Sequence, residues 1–455
     1  MICFFLQNSL YSFVIIKMVG DKMLDIINKL LWGIATIFLI GSGIYFTKTL
    51  NGVQFQIKKM FQGFKHKGNV KISPFQSLMM ATAARIGVGS LAGVALALHI
   101  GGIGTIFWLW ISTILTVPNA FAESCLGVIY REKDDGFYKG GPSYYIDKGL
   151  GKKCLAKIYA LLILISYIVG FLTIQSNTIT KSLENVVNIP NIVVGIMIAI
   201  LSGSIIIKGV RGIADATSKL VPVMGALFLL VSLSIIIKNI SMIPSIFINI
   251  IKEAFNFKSL GIGVFTSFLI GLQRGIFSNE AGLGSGAIAS STADSNNPIG
   301  QGLIQILGIY FTSLVICSAT AFIILTSNYQ ELIFNNINGI EITQYALTYH
   351  LGSFGNIILI VSIIMFAFST ILTGYYYGES NLKYLIPSIS DKQILLLKIF
   401  TMILLVYGSI AQADFLWKIV DIFVALMAII NIYALINMRK DIIYEWNHYK
   451  GKSKL

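Results

Sequence analysis

TAARIGVGSLAGVA, residues 82–95, sets Gly87, Gly89, Ser90 and Gly93 inside an apolar run otherwise long enough to cross a bilayer. A helix in lipid must satisfy every backbone amide internally, so small residues at its centre mark either close packing or a break. LGIGVFTSFLIG, residues 260–271, repeats the feature with Gly261, Gly263, Thr266 and Ser267. Counted in spanning stretches, the second lies five after the first and runs in the opposite direction. Paired interruptions at that spacing are expected of an inverted repeat whose two discontinuous helices meet at the midplane. Unwound backbone there offers free N–H groups to a carboxylate and free carbonyls to a small cation. Close packing through small residues accounts for the same glycines, and glycine content alone does not choose between the two readings.

The chain has 455 residues, is 55% hydrophobic and only 12% charged, with a mean hydropathy of +0.79. Soluble domains carry about 25% charged residues. Half that share cannot cover a water-facing surface of this size, which excludes a soluble, a disordered and a disulfide-scaffold protein. Stretches of about 20 apolar residues fall near 24–47, 74–100, 104–130, 155–179, 191–209, 217–238, 258–276, 300–326, 353–382, 393–412 and 415–438. The expectation is an all-α polytopic membrane protein of about 11 spans. The 258–276 stretch is interrupted by glycine, and 243–256 could lie in the membrane plane. Residues 1–22 form an N-terminal extension lacking the basic start and cleavage site of a signal peptide. Residues 23–438 read as a single membrane transport domain and 439–455 as a basic cytoplasmic tail.

The net charge of +14 sits in short loops rather than on one face, which is unlike a nucleic-acid patch. With the N-terminus outside, the cytoplasmic segments hold 25 Lys and Arg and the outer ones 8. That asymmetry supports an outside N-terminus and a cytoplasmic C-terminus. Arg85 alone stands within a span, where an arginine must face protein or water. Cys3, Cys125, Cys154 and Cys317 show no metal-ligand spacing.

QRGIFSNEAGLGSGAIASSTADSNNPIGQG at 273–302 resembles the signature of the alanine or glycine:cation symporter family. So do FQSLMMATAARIGVGSLAGVA (75–95), FAE (121–123) with YR (130–131), KGGPSYYIDKGLG (139–151) and FAFSTILTGYYYGE (366–379). The matches run in order along nearly the whole span region. The resemblance implies a LeuT-like fold, with one extra N-terminal helix followed by two inverted five-helix repeats, about 74–238 and 258–438. It implies a sodium-coupled symporter, not an enzyme. That symporter would import a small neutral amino acid of the alanine or glycine kind, or a bulkier one, across a bacterial inner membrane. Na⁺ is the coupling ion and no other cofactor is implied.

The same resemblance places substrate contacts at Gly87, Val88, Gly89, Ser90, Gln175, Gly263, Phe265, Thr266, Ser267 and Gly374. Phe265 reads either as a lid over the pocket or as ordinary packing. Na⁺ ligands fall on Ala83, Ile86, Phe366, Ser369 and Thr370, although both hydroxyls could instead bond to their own helix carbonyls. Four positions depart from the family pattern. Val88 and Ser90 stand where Thr and Asn are usual, Gly374 where Trp is usual and Thr312 where Asp is common. Together they suggest a larger or less polar pocket. Glu123, Glu280, Asp294 and Glu379 lie near cytoplasmic helix ends, as caps or gate ion pairs, and Asp421 is expected to be structural. With no carboxylate at either expected break, Na⁺ is favoured over a proton. A proton-coupled or altered-specificity carrier and a transporter-like sensor remain as alternatives. An intramembrane enzyme would need a nucleophile–base pair or HExxH, and neither is present.

Overall fold

The computed structural model describes residues 2–64, 71–184, 186, 188–256, 264–329, 331, 339–411 and 413–452, and for 2–22, 264–265, 413–415 and 451–452 the backbone alone. Almost all of it is helix. In chain order we label α1 (Ile2–Thr49), α2 (Pro74–Arg85), α3 (Ala92–Gly101), α4 (Thr105–Ile129), α5 (Pro142–Lys148), α6 (Lys153–Glu184), α7 (Asn191–Ile206), α8 (Gly209–Lys238) and α9 (Ile243–Ala254). There follow α10 (Val264–Asn279), α11 (Ser285–Ser291), α12 (Pro298–Leu325), α13 (Ile340–Leu351), α14 (Ser353–Leu385), α15 (Asp391–Ile410), α16 (Ala413–Asn437) and α17 (Arg439–Lys452). Residues 2–22 of the expected extension form the first part of α1.

Eight of these helices are long and apolar enough to cross a membrane: α4, α6, α8, α12, α14 and α15 whole, with Met23–Thr49 of α1 and Leu416–Asn437 of α16. Two shorter apolar helices are α3 and α7. The protein is therefore a multi-pass membrane protein. At α9 twelve residues are too few to span. Ile246, Ile250 and Ala254 turn inward while Phe247, Ile248 and Ile251 stay exposed, as for a helix lying along the membrane surface.

Local chemistry fixes where helices start. Ser73 and Gln76 form a reciprocal capping box at α2, and Ser390 and Gln393 form another at α15. Asn297 caps α12 through Gly300 N. Each satisfies amides the first turn leaves free. Between α4 and α5 a hairpin pairs Glu132–Asp134 (β1) with Phe137–Lys139 (β2). Its turn residues Asp135 and Gly136 both take positive φ (49° and 78°), as a two-residue primed turn requires.

Burial sorts the helices into centre and rim. In its most apolar stretch α14 is 72% buried, against 22% for α1 and 28% for α15. The central α14 packs on α2, α6 and α8, and this brings its mid-section against the interruption between α2 and α3. The C-terminal segment is a helix rather than a free tail. Trp446 of α17 is fully buried, edge-on to Phe121 with centroids 5.5 Å apart.

Candidate functional site

The first interruption lies where the sequence placed it. Ile86 N still bonds to Thr82 O (2.9 Å), but regular α geometry stops at Arg85. A single 3₁₀ turn over Val88–Ser90 leads into α3. Gly87 is required by close approach. A Cβ there would meet Thr370 Oγ1 at 2.6 Å and Gln175 Nε2 at 3.1 Å. Gln175 Oε1 accepts from the freed Val88 N–H (3.2 Å), so α6 supplies the partner that the broken helix lacks. The Ser90 hydroxyl is turned back to Arg85 O (3.4 Å).

On the α14 side, Thr370 Oγ1 donates across the helix boundary to Ala83 O (2.8 Å) and lies 3.0 Å from Phe366 O. Ser369 Oγ donates to Phe366 O (2.9 Å). Four of the five residues expected around Na⁺ are thus joined in one chain of hydrogen bonds, from Ala83 O through Thr370 and Phe366 O to Ser369, with Ile86 at the C-cap of α2. The donor set is neutral oxygen, hydroxyl and carbonyl, which suits a hard monovalent cation. The bonds to Phe366 O are the intrahelical alternative noted from sequence. The bond to Ala83 O is not, because it joins two helices.

Of the stretch expected to hold the second interruption, residues 260–263 lie outside the described residues, and from Val264 onward it is helical. Thr266 and Ser267 stand in the unbroken α10, which runs to Asn279. Thr266 is exposed, and Ser267 Oγ donates to Gly101 O at 2.5 Å, tying α10 to the end of α3. Gly263 lies outside the described residues, and of Phe265 only the backbone within α10 is described. Among the described residues a break falls at Glu280–Gly284, where Glu280, Gly282 and Gly284 take φ of 53°, 86° and 91°. Left-handed φ at two glycines and one further residue cannot be absorbed by an α-helix. Its signal was within the quoted signature, in the Gly282 and Gly284 of NEAGLGS.

An aromatic ring that lies over the first break is that of Phe277. One turn before the second break, its ring stacks on Phe171 (5.3 Å, 29°) and tilts against Trp417 (5.3 Å). It lies 3.4 Å from where a Cβ would project at Gly89. Val88 is 2% and Phe277 8% exposed, so the first break is closed over. Gly374 does not open the space its small size suggests. A Cβ there would meet Leu172 Cδ1 at 2.7 Å and Tyr167 Cδ1 at 3.3 Å. Thr312 is buried and turned to Ile309 O (3.1 Å).

Carboxylates do reach the second break, against the expectation from sequence. Glu123 of α4 accepts on Oε2 from Gly284 N (2.9 Å) and Asn431 Nδ2 (2.9 Å), capping the first turn of α11. Glu280 accepts from Tyr167 OH (2.8 Å) on one oxygen and from Ser285 Oγ (2.7 Å) on the other. Tyr159 OH donates to Leu283 O at 2.5 Å. Arg85 reaches this cluster from α2. Its Nη1 donates to Gln305 Oε1 (3.0 Å), and a Cβ at Gly286 would sit 2.6 Å from its Nη2 and 3.0 Å from Glu123 Oε1. Arg85, Glu123 and Glu280 are each at most 2% exposed. A buried charged network of this kind links both broken helices to α4, α6, α12 and α16. The remaining acids are simpler. Glu379 pairs with Lys383 (2.9 Å) and Asp421 with Arg274 (3.6 Å).

Residues 17–455 match the model of the sodium:alanine symporter family. The chain belongs to that family. Among relatives of this sodium:alanine symporter family member is the probable sodium/glutamine symporter GlnT of Bacillus subtilis strain 168. It is 36% identical over 95% of this chain and 91% of its own. The amino-acid carrier protein AlsT of the same organism is 36% identical over 91% and 89%. The sodium/alanine symporter AgcS of Methanococcus maripaludis is 32% identical over 93% and 96%. A solved Na⁺-coupled sialic acid symporter superposes with a TM-score of 0.50 at 14% identity, covering 89% of this chain and 82% of its own. The transporter MhsT in complex with L-phenylalanine gives 0.50 at 12%, covering 80% and 98%. The family member shares their fold. It is an amino-acid transporter of the symporter kind and not an enzyme.

Proposed function

We propose that the protein is a Na⁺-coupled importer of a small neutral amino acid, working by alternating access. The observation that carries this reading is the Thr370–Ala83 hydrogen bond, which sets a cluster of neutral oxygens from α14 against the broken α2–α3 helix. Ala83 O, Phe366 O, Ser369 Oγ and Thr370 Oγ1, with Ile86 beside them, are the ligands for Na⁺. The substrate carboxylate binds the backbone of Gly87–Ser90, with Gln175 steadying Val88 N and Phe277 closing over it. Ion and substrate share one stretch of unwound backbone, so ordering it for one lowers the cost of binding the other.

In this reading α2–α3, α7 and α10–α11 complete 11 spans with the eight long helices. The repeats of five begin at α2 and α10, the N-terminus is outside and the C-terminus is cytoplasmic in a bacterial inner membrane. Tyr376 and Glu379, two turns of α14 beyond Ser369, line a cleft of about 350 Å³ with the hairpin and Lys208–Arg211. That cleft is the inward exit. Leu172 and Tyr167 fill the space at Gly374, which favours alanine and glycine over bulkier substrates.

Uptake into proteoliposomes tests the reading. An inward Na⁺ gradient is expected to drive accumulation of labelled alanine, competed by glycine and weakly by glutamine or phenylalanine. Accumulation driven equally by a pH gradient without Na⁺ would refute the coupling. Stronger competition by glutamine would refute the size preference.

A further inference from the structure

The start of α6 forms one end of an apolar groove that faces out of the helix bundle. Phe38 of α1, Leu155 and Ile158 of α6, and Ile429, Ile430 and Tyr433 of α16 line it, over a volume of about 730 Å³. Phe38 is 46% and Ile158 47% exposed, so no part of the described chain covers it. The groove's polar end is basic. Lys152 and Lys153 line it, and Lys157 is exposed one turn further along α6. Lys152 Nζ is held over Tyr433, 4.9 Å from the ring centroid and 2.5 Å from its hydroxyl.

These lysines differ from their neighbours in what answers their charge. Lys139, Lys148 and Lys383 are paired with Asp134, Glu132 and Glu379 at 3.0, 2.8 and 2.9 Å. Among the described residues no carboxylate pairs with Lys152, Lys153 or Lys157. The first turn of α6 adds to the imbalance. Its N-cap, Lys152, offers no side-chain acceptor, so the amides of that turn are left uncapped beside the two lysines. An anionic group is what this end lacks, and acyl chains are what the rest of the groove fits.

We propose that this groove between α1, α6 and α16 is a binding site for an anionic phospholipid, with its phosphate held by Lys152, Lys153 and the first turn of α6. Basic pockets between spanning helices at the cytoplasmic interface take such headgroups, each lysine strengthening the attraction. The site does not draw on the transport reading, and only the choice of leaflet rests on the orientation given above.

Native mass spectrometry of the full chain, purified with equal phosphatidylglycerol and phosphatidylcholine, tests it. Phosphatidylglycerol should be retained in preference, and K152Q/K153Q should cut that preference on the order of tenfold. K392Q/K440Q, which removes two exposed lysines elsewhere, should leave it intact. Excess inorganic phosphate should not displace the lipid, and Ile430→Trp, which fills the groove, should lower retention of both lipids. Equal retention of the two lipids by the unmodified chain, equal loss in the two lysine variants, displacement by phosphate, or unchanged retention in Ile430→Trp would each overturn the proposal.

Discussion

Replacing Glu123 by alanine removes the acceptor shared by Gly284 N–H and Asn431 Nδ2, both at 2.9 Å. Asn431 keeps a second acceptor, Gly282 O at 2.9 Å, but the Gly284 amide is buried and left with none. An orphaned buried donor costs about 1–3 kcal/mol. The cavity of a truncated, fully buried side chain and the loss of a carboxylate beside Arg85 add to this, so about 3 kcal/mol in all is expected. Glutamine keeps a carbonyl oxygen where Oε2 stands and should cost about 1 kcal/mol. The assay is reversible unfolding in detergent followed by tryptophan fluorescence, with both variants measured beside the unmodified protein. If alanine and glutamine destabilise equally, within about 0.5 kcal/mol, the cap on α11 is not what Glu123 contributes.

Three further outcomes are expected. Thr370→Val keeps the side chain's shape and removes the hydroxyl. The Na⁺ concentration for half-maximal uptake should rise at least about tenfold, and Thr370→Ser should restore it; equal Na⁺ dependence in both would refute the ligand assignment. Phe277→Ala should cost about 3 kcal/mol of stability as a buried aromatic is lost. It should also speed labelling of Ser90→Cys by a water-soluble maleimide, whereas unchanged labelling would show that the ring does not cover the first break. Burial, with the hydrogen bond to Asp441 (2.8 Å) and its charge, pushes the Tyr130 phenol up to about 12. A raised folded value above the ordinary 10 means that the bond holds α17 in place fully below about pH 10 and is lost between about 10 and 12. Trp446 fluorescence should therefore be flat from pH 7 to 9.5 and shift above 10, and Tyr130→Phe should abolish that step.

The amino-acid sequence determined the class, the approximate spans and the first break by itself. Each rests on local physics: a span needs length and apolarity, and Gly87-Val88-Gly89-Ser90 interrupts one wherever its neighbours lie. The family signature at 273–302 was equally legible, and the same resemblance paired Thr370 with Ala83. Tertiary structure decided the rest. LGIGVFTSFLIG and NEAGLGS are about equally rich in glycine, and it is tertiary structure that supports the break at 280–284, where the α4 carboxylate of Glu123 caps the restarted helix. Gly374 read as an opening, but Leu172 and Tyr167, two hundred residues earlier in the chain, fill the space beside it. Arg85 read as a lone in-span arginine, and Glu123 and Glu280 as caps or gate ion pairs, with nothing in the sequence to join the three. Burial makes them one network, since a charge withdrawn from water must find its partners among whatever the fold brings alongside.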